Sequence, residues 1–120
     1  MERERNRYIV FEAFCSHEII FKELTSAIWR EIDTLYGEYG TSKAGLWLMS
    51  LERGSLEKLP ESVRDSATIL RYKGILRTNH RNTDLVRTAL AFITEINGKS
   101  TLIHVLGISG TLKAARKKYH

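Results

Sequence analysis

Cysteine and long apolar runs are almost absent from this sequence. Because the chain has one cysteine, Cys15, it cannot form an internal disulfide, and we expect a small buried side chain there rather than a nucleophile. No stretch approaches the ~18 consecutive apolar residues that a membrane span needs. The charged start, MERERNR, is not followed by the apolar segment of a signal peptide. We therefore expect a cytoplasmic protein that does not enter a membrane.

Complete enzyme motifs are also missing. Residues 17–21 begin like the zinc-protease motif H-E-x-x-H, but Phe21 stands where the second histidine is required. Residues 107–111 resemble the nucleophile elbow G-x-S-x-G, but Thr111 replaces the closing glycine. A glycine-rich phosphate loop is absent, and His104, alone in an apolar strand, is expected in the core. The isolated chain is predicted to be noncatalytic and to bind no cofactor or metal.

Acidic residues are scarce in the second half of the chain. Residues 1–67 contain nine Lys and Arg against twelve Asp and Glu, whereas residues 68–120 contain ten against two. The first part therefore has a net charge of −3 and the second of +8. Such a division indicates one cationic pole for nucleic acid or an anionic membrane, and an acidic part for a protein partner.

The 120 residues are enough for one domain with a single core. The hydrophobic pattern predicts a strand at 7–15, a helix from Ser16 to about Tyr36, a strand at 46–51, a long loop at 53–67, a strand at 70–81, a helix from Thr83 stopped by Asn97-Gly98, a strand at 99–106 and a basic helix at 111–119. This order is the split β-α-β-β-α-β pattern of a ferredoxin-like, two-layer α+β sandwich. We therefore predict a four-stranded antiparallel sheet in which strands one and three are central. A basic helix follows at the C-terminus.

The strand at 70–81 alternates between apolar and basic residues. Leu70, Tyr72 and Leu76 fall on one side of an extended strand, and Arg71, Lys73 and Arg77 fall on the other. The basic side is either a solvated outer face or a surface for a polyanion. Two helices cover one sheet face only, so either the terminal helix or another chain must cover apolar residues on the second face. Trp47 is expected in the core rather than as a base-stacking platform.

The turn at 107–111 and the helix after it form a second basic segment. Its backbone amides, the helix dipole and Lys113 could hold an anion, although a plain helix cap by Ser109 or Thr111 explains the same residues. Three more cations of the terminal helix extend the patch, and Lys43 would join it if it lies nearby.

Several segments, in order along most of the chain, resemble the archaeal ribonuclease P protein component 2 family, the counterpart of a small eukaryotic Pop subunit. They are RYIVFE (7–12), SKAGLWL (42–48), KGILR (73–77), ALAFITEINGK (89–99) and LGISGTLKAARKK (106–118). The combination of SKAGLW with LGxSGT is specific. The resemblance implies an α/β sandwich related to RNA-recognition-motif domains, in a ribonucleoprotein endonuclease that removes the 5′ leader of precursor tRNA by RNA catalysis with magnesium on the RNA. It also implies ribonuclease P RNA, precursor tRNA and protein component 3 as partners, with possible self-association.

The leading hypothesis is a noncatalytic subunit that binds and supports the catalytic RNA. The residues assigned to RNA are Lys43, Arg71, Lys73, Arg77, Arg81, Ser109, Gly110, Thr111, Lys113, Arg116, Lys117 and Lys118. Those assigned to a protein interface are Ile9, Phe11, Trp47, Met49 and Ile75. Phosphate contacts are expected rather than base stacking, because the third strand has Ile75 where RNA-recognition motifs have a ring and Tyr72 points the other way. The alternatives are a protein-protein interaction module without RNA contact and, third, a small phosphate-handling enzyme.

Overall fold

The computed structural model describes residues 5–43, 45–53 and 69–118, with side chains for 5–37, 45–53 and 69–117. Its elements are β1 (Asn6–Cys15), α1 (Phe21–Lys43), β2 (Trp47–Arg53), β3 (Leu70–Asn79), a 3₁₀ turn (His80–Asn82), α2 (Thr83–Phe92), β4 (Glu95–Ile96), β5 (Lys99–Ser109) and α3 (Leu112–Lys118). The predicted loop at 53–67 lies almost wholly outside the described residues. The terminal helix was predicted correctly.

The strands form one antiparallel sheet in the order β2-β3-β1-β5-β4. The two-layer α/β architecture and the central positions of β1 and β3 are confirmed. The sheet has five strands rather than four, because the two-residue strand β4 extends the edge beside β5. Bulges interrupt the register in β2 between Leu48 and Ser50 and beside β1 between Val10 and Phe11.

The first helix differs from its prediction at both ends. It begins at Phe21, five residues after the expected cap at Ser16, and Leu24, Ile28 and Ile32 form its buried stripe. Gly37 interrupts it with φ 75° and ψ −176°, a conformation that glycine adopts at little cost. The predicted end near Tyr36 is therefore a break, after which helical residues continue to Lys43.

The second helix is shorter than the apolar pattern indicated. It ends at Phe92, and the next residue, Ile93, has the extended conformation with φ −76° and ψ 114°. Asn97 and Gly98, with φ 52° and 75°, form the turn between β4 and β5 instead of a helix cap. Asn-Gly is also the preferred pair for a two-residue hairpin turn, so the motif itself was ambiguous.

The main core lies between the sheet and helices α1 and α2. Phe11 is fully buried there, and its ring lies over Gly74 of β3, where an added Cβ would overlap Phe11 Cζ. Cys15 is buried, as predicted. Tyr72 points into the same core, where its hydroxyl accepts a hydrogen bond from the Ile19 amide at 3.0 Å.

A second, smaller apolar cluster occupies the opposite face of the sheet. Ala115 of α3 is 1% exposed and packs with Val10 of β1 and Ile75 of β3. Tyr8 and Met49 are partly buried against this cluster. The terminal helix therefore covers the centre of the second face, which answers the question that the sequence left open between this helix and another chain.

Candidate nucleic-acid interface

The face of the sheet opposite α1 and α2, which we call the open face, presents its side chains in cross-strand rows. The register places Tyr8 opposite Arg77 and Arg77 opposite Trp47, so these three residues form one row across β1, β3 and β2. Side chains directly opposite on one face have Cβ atoms about 4.5–5.5 Å apart. The row therefore places Arg77 between two aromatic residues, and we refer to it as the aromatic row.

Trp47 is 61% exposed, so the prediction that it lies in the core was wrong. Its neighbours Leu46 and Leu48 are 8% and 6% exposed and contribute to the main core. Because alternate residues of a strand face opposite sides, burial of these two leucines turns Trp47 to the open face. The apolar run LWL indicated a buried strand, but β2 lies at an edge of the sheet.

Acidic residues of the neighbouring strands lie beside the basic side chains in the middle of β3. The Arg71 Nε donates to Glu12 Oε2 in an ion pair, and the side chains of Arg71 and Glu12 are 15% and 13% exposed. Lys73 lies opposite Glu12 on one side and Glu52 on the other. The sequence of β3 alone suggested an uncompensated cationic face, whereas the sheet supplies counter-charges to this part of it.

At the end of the sheet where β1 begins and β3 ends, basic side chains come together without such counter-charges among the described residues. The His80 amide donates to the Arg5 carbonyl at 2.6 Å, which brings the backbone of Arg5 next to the turn that contains Arg81. A Cβ on Gly110 would lie 3.8 Å from Arg7 Nη1, so the Arg7 guanidinium lies beside the start of α3.

We call this region the cationic end, and its members are Arg5, Arg7, Arg77, Arg81 and Lys113. Within the part of the chain that the structure describes, none of these five forms an ion pair. The sequence prediction missed Arg5 and Arg7, since both belong to the net acidic half. The antiparallel topology could have indicated them, because it places the start of strand one beside the ends of strand three and the last strand.

The start of α3 has the geometry of an ordinary helix cap. Thr111 Oγ1 accepts a hydrogen bond from the Ala114 amide at 3.1 Å, which satisfies one of the free amides of the first turn. Ser109 is buried at the end of β5, and Gly110 is exposed between the two. This hydrogen bond confirms the cap by Thr111, and the anion-binding role of the turn stays a prediction.

The remaining basic residues of α3 point outward wherever the structure describes their side chains. Lys113, Arg116 and Lys117 are exposed, whereas the side chains of Lys43 and Lys118 lie outside the described set. Arg116 lines a cavity of about 350 Å³ together with Glu52 and Lys73, so one cation of this helix borders an acidic side chain.

The residues assigned to a protein interface divide between the two faces of the sheet. Ile9 and Phe11 are 0% exposed beneath the helices, so their assignment to a surface is corrected: the outward residues of β1 are the alternate set that includes Tyr8. Ile75 is covered by α3, and Met49, at the β2 bulge, is partly buried beside it. Only Trp47 of this group is well exposed.

The structure also bears on the isolated histidine, on metal binding and on membrane insertion. His104 is exposed on the open face, which corrects its expected place in the core. No group of three or more His, Cys, Asp or Glu side chains in the described ranges could hold a metal ion. None of the described helices has the length and apolar character to cross a membrane.

The sequence comparisons with known proteins agree on one family. A sequence profile of the Rpp14/Pop5 family matches residues 7–120. The chain is 32% identical to "Ribonuclease P protein component 2" of Pyrococcus abyssi and 36% identical to the protein of that name from Methanothermobacter thermautotrophicus. Each match spans 117 residues, 98% of this chain and 86% of the relative. The protein of the same name from Methanobrevibacter smithii is 32% identical, over 96% of this chain and 88% of that protein.

The fold has a counterpart among solved structures. A chain of the cryo-EM structure of yeast ribonuclease MRP superposes with a TM-score of 0.59 at 12% identity, covering 99% of this chain and 88% of that one. At this identity the similarity concerns the fold alone. The profile match over nearly the whole sequence and the relatives above 30% identity lead to one conclusion: this chain belongs to the Rpp14/Pop5 family, whose archaeal relatives are protein components of ribonuclease P.

Proposed function

We propose that this chain is a noncatalytic, RNA-binding subunit of ribonuclease P that supports the catalytic RNA in removing the 5′ leader of precursor tRNA. The observation that carries the proposal is the cationic end, where the topology gathers five basic side chains without an ion pair among the described residues. In this proposal magnesium acts on the RNA, and the chain supplies binding and support rather than a catalytic group. The cytoplasmic location stays a prediction.

The arrangement of charge favours a polyanion over a small anionic substrate. The five cations come from the start of β1, the end of β3, the following turn and α3, and they line an end of the sheet rather than a closed pocket. Lys and Arg on such a surface neutralise successive phosphates and release counterions, which gives affinity without sequence readout. A phosphate-handling enzyme would instead need a nucleophile or base beside the 107–111 turn, where Thr111 is engaged as a helix cap.

The experiment is reconstituted cleavage of precursor tRNA by the ribonuclease P RNA with its protein component 3, with and without this chain. We expect cleavage at low magnesium to require the chain. A variant with Arg77→Gln and Arg81→Gln should retain the fold and lose part of the stimulation. The matched control is Arg87→Gln, which removes an exposed cation of α2 on the opposite layer. Unchanged cleavage by the double variant would contradict the role of the cationic end.

A protein-protein interaction module is the second candidate, and exposed apolar side chains on the helical side favour it. Phe21 at the start of α1 and Phe92 at the end of α2 are 50% and 58% exposed. Such residues are suited to contact protein component 3 or a second copy of the chain. If complexes with the Arg77 and Arg81 substitutions cleaved normally while Phe21→Ser and Phe92→Ser variants failed to assemble, this candidate would be preferred.

A further inference from the structure

Next to Arg77 of the cationic end lies one exposed side chain that phosphate contacts do not explain. Trp47 exposes 61% of its surface on the open face, directly opposite Arg77. An exposed indole does not contribute the hydrophobic free energy of burial, which is about 25 cal/mol for each Å² of apolar surface removed from water. The ring does not contribute to the main core, because Leu46 and Leu48 occupy the inward positions of the same segment.

The position of α3 explains where an aromatic platform can exist on this sheet. At the centre of the open face, Val10 and Ile75 pack against Ala115 and are 0% and 7% exposed, so they offer little surface for a base to stack on. Tyr8 is partly buried against the same cluster. Trp47 lies two strands from Tyr8, roughly 10 Å away at the usual strand spacing, on the edge strand β2. The accessible ring of the aromatic row is therefore the one at the edge.

We propose that Trp47 is a stacking platform for an unpaired base of the bound RNA, and that Arg77 contacts the phosphate next to that base. This inference rests on the proposed function and names the feature of the RNA that the surface would select. Arg77, directly opposite Trp47, gives the ring a cationic neighbour, which suits a nucleotide better than an apolar segment of a protein. Stacking on an aromatic ring needs a base that is free of a helical stack, so a loop or bulge is selected over a continuous duplex.

The test compares two RNA probes: a hairpin with an unpaired adenosine-rich loop, and a fully paired duplex of equal length. Loss of one stacked base corresponds to about 5- to 150-fold weaker binding. Trp47→Ala should weaken binding of the looped RNA by that factor and leave the duplex within about twofold. Trp47→Phe should retain most of the affinity, since a smaller ring still stacks. The slope of log affinity against log salt should not change, because no charge is removed.

The matched control is Tyr36→Ala, which removes another exposed ring, 41% exposed, from α1 in the helical layer. Binding of both probes should be unchanged in this variant. A spectroscopic readout is available because the chain has two tryptophans, and Trp29 is packed against the main core. In a Trp29→Phe variant all tryptophan fluorescence comes from Trp47, and the looped RNA should quench it while the duplex should not.

Equal losses on both probes, or a Trp47→Phe variant as weak as Trp47→Ala, would overturn the stacking proposal. So would a Trp47→Ala variant that binds both RNAs normally but loses protein component 3, since the ring would then serve a protein contact. The proposed function survives these results if Arg77→Gln and Arg81→Gln still reduce the salt dependence of RNA binding. If the unaltered chain binds neither probe and does not stimulate cleavage, both the stacking proposal and the proposed function fail.

Discussion

Arg71 and Arg77 allow a direct comparison, because they lie on the same strand and the same face with different surroundings. Arg71 donates to Glu12 in a pair whose side chains are 15% and 13% exposed. Arg77 lies between two aromatic residues and, within the described residues, makes no ion pair. We predict that substitution of the first lowers stability, whereas substitution of the second lowers RNA binding.

The magnitudes follow from these surroundings. A hydrogen bond to a charged group contributes about 1.5–3 kcal/mol, and little solvent reaches the Arg71–Glu12 pair to compensate its removal. For a domain of this length, about 1 kcal/mol corresponds to roughly 4 °C in Tm. Arg71→Gln should therefore lower Tm by about 6–12 °C, and Arg77→Gln should change the free energy of unfolding by less than about 0.5 kcal/mol.

For RNA binding we expect the reverse order, with a larger effect of Arg77→Gln than of Arg71→Gln. Removing one phosphate contact reduces the slope of log affinity against log salt by ~0.7 for single-stranded RNA and up to ~0.9 for a duplex. We expect this reduction for Arg77→Gln and no change for Arg71→Gln at a temperature where both variants are folded. Thermal unfolding and urea unfolding measure the stability of the variants, and fluorescence-anisotropy titrations at several salt concentrations measure RNA binding. An equal reduction of the salt slope in both variants would refute the reasoning, since Arg71 would then bind phosphate despite its pair with Glu12.

Two further predictions concern the packing that holds the surface in place. Gly74→Ala would place a Cβ in overlap with Phe11 Cζ and 3.0 Å from the Ser50 carbonyl, and we expect a loss of about 1–3 kcal/mol in urea unfolding. Phe11→Leu should relieve part of that loss in the double variant, and strict additivity would contradict the overlap. Thr111→Ala removes the cap of α3 and should cost about 1 kcal/mol, whereas Thr111→Ser should be nearly neutral; equal destabilisation by both would argue against the cap.

Several features of the fold followed from residue patterns. The alternation in β3 predicted which side chains enter the core, and Leu70, Tyr72 and Leu76 are buried as expected. The order of elements predicted the central positions of β1 and β3. The end of α2 was not predictable in the same way. An apolar spacing that includes Ile93 and Ile96 suits a helix, and Asn97-Gly98 suits either a helix end or a hairpin turn.

The candidate site was predicted in part. Arg77 and Arg81 were assigned from the basic strand at 70–81 and Lys113 from the basic terminal segment, and all three belong to the cationic end. Arg5 and Arg7 were missed, and Trp47 was placed in the core. Each of these errors concerns which strands are neighbours or which strand forms an edge, and hydrophobic pattern contains no such information for a single strand.

The sequence alone determined the family, the two-layer architecture and the separation of charge along the chain, because these depend on residue order and local periodicity. Only the tertiary structure decided which cations are available. Pairing of β3 with β1 brings Glu12 to Arg71 and leaves Arg77 beside Trp47, although the two arginines look alike in the sequence. The physical reason is that the field at a charged side chain depends on its neighbours in space, and in a sheet those neighbours come from distant parts of the chain.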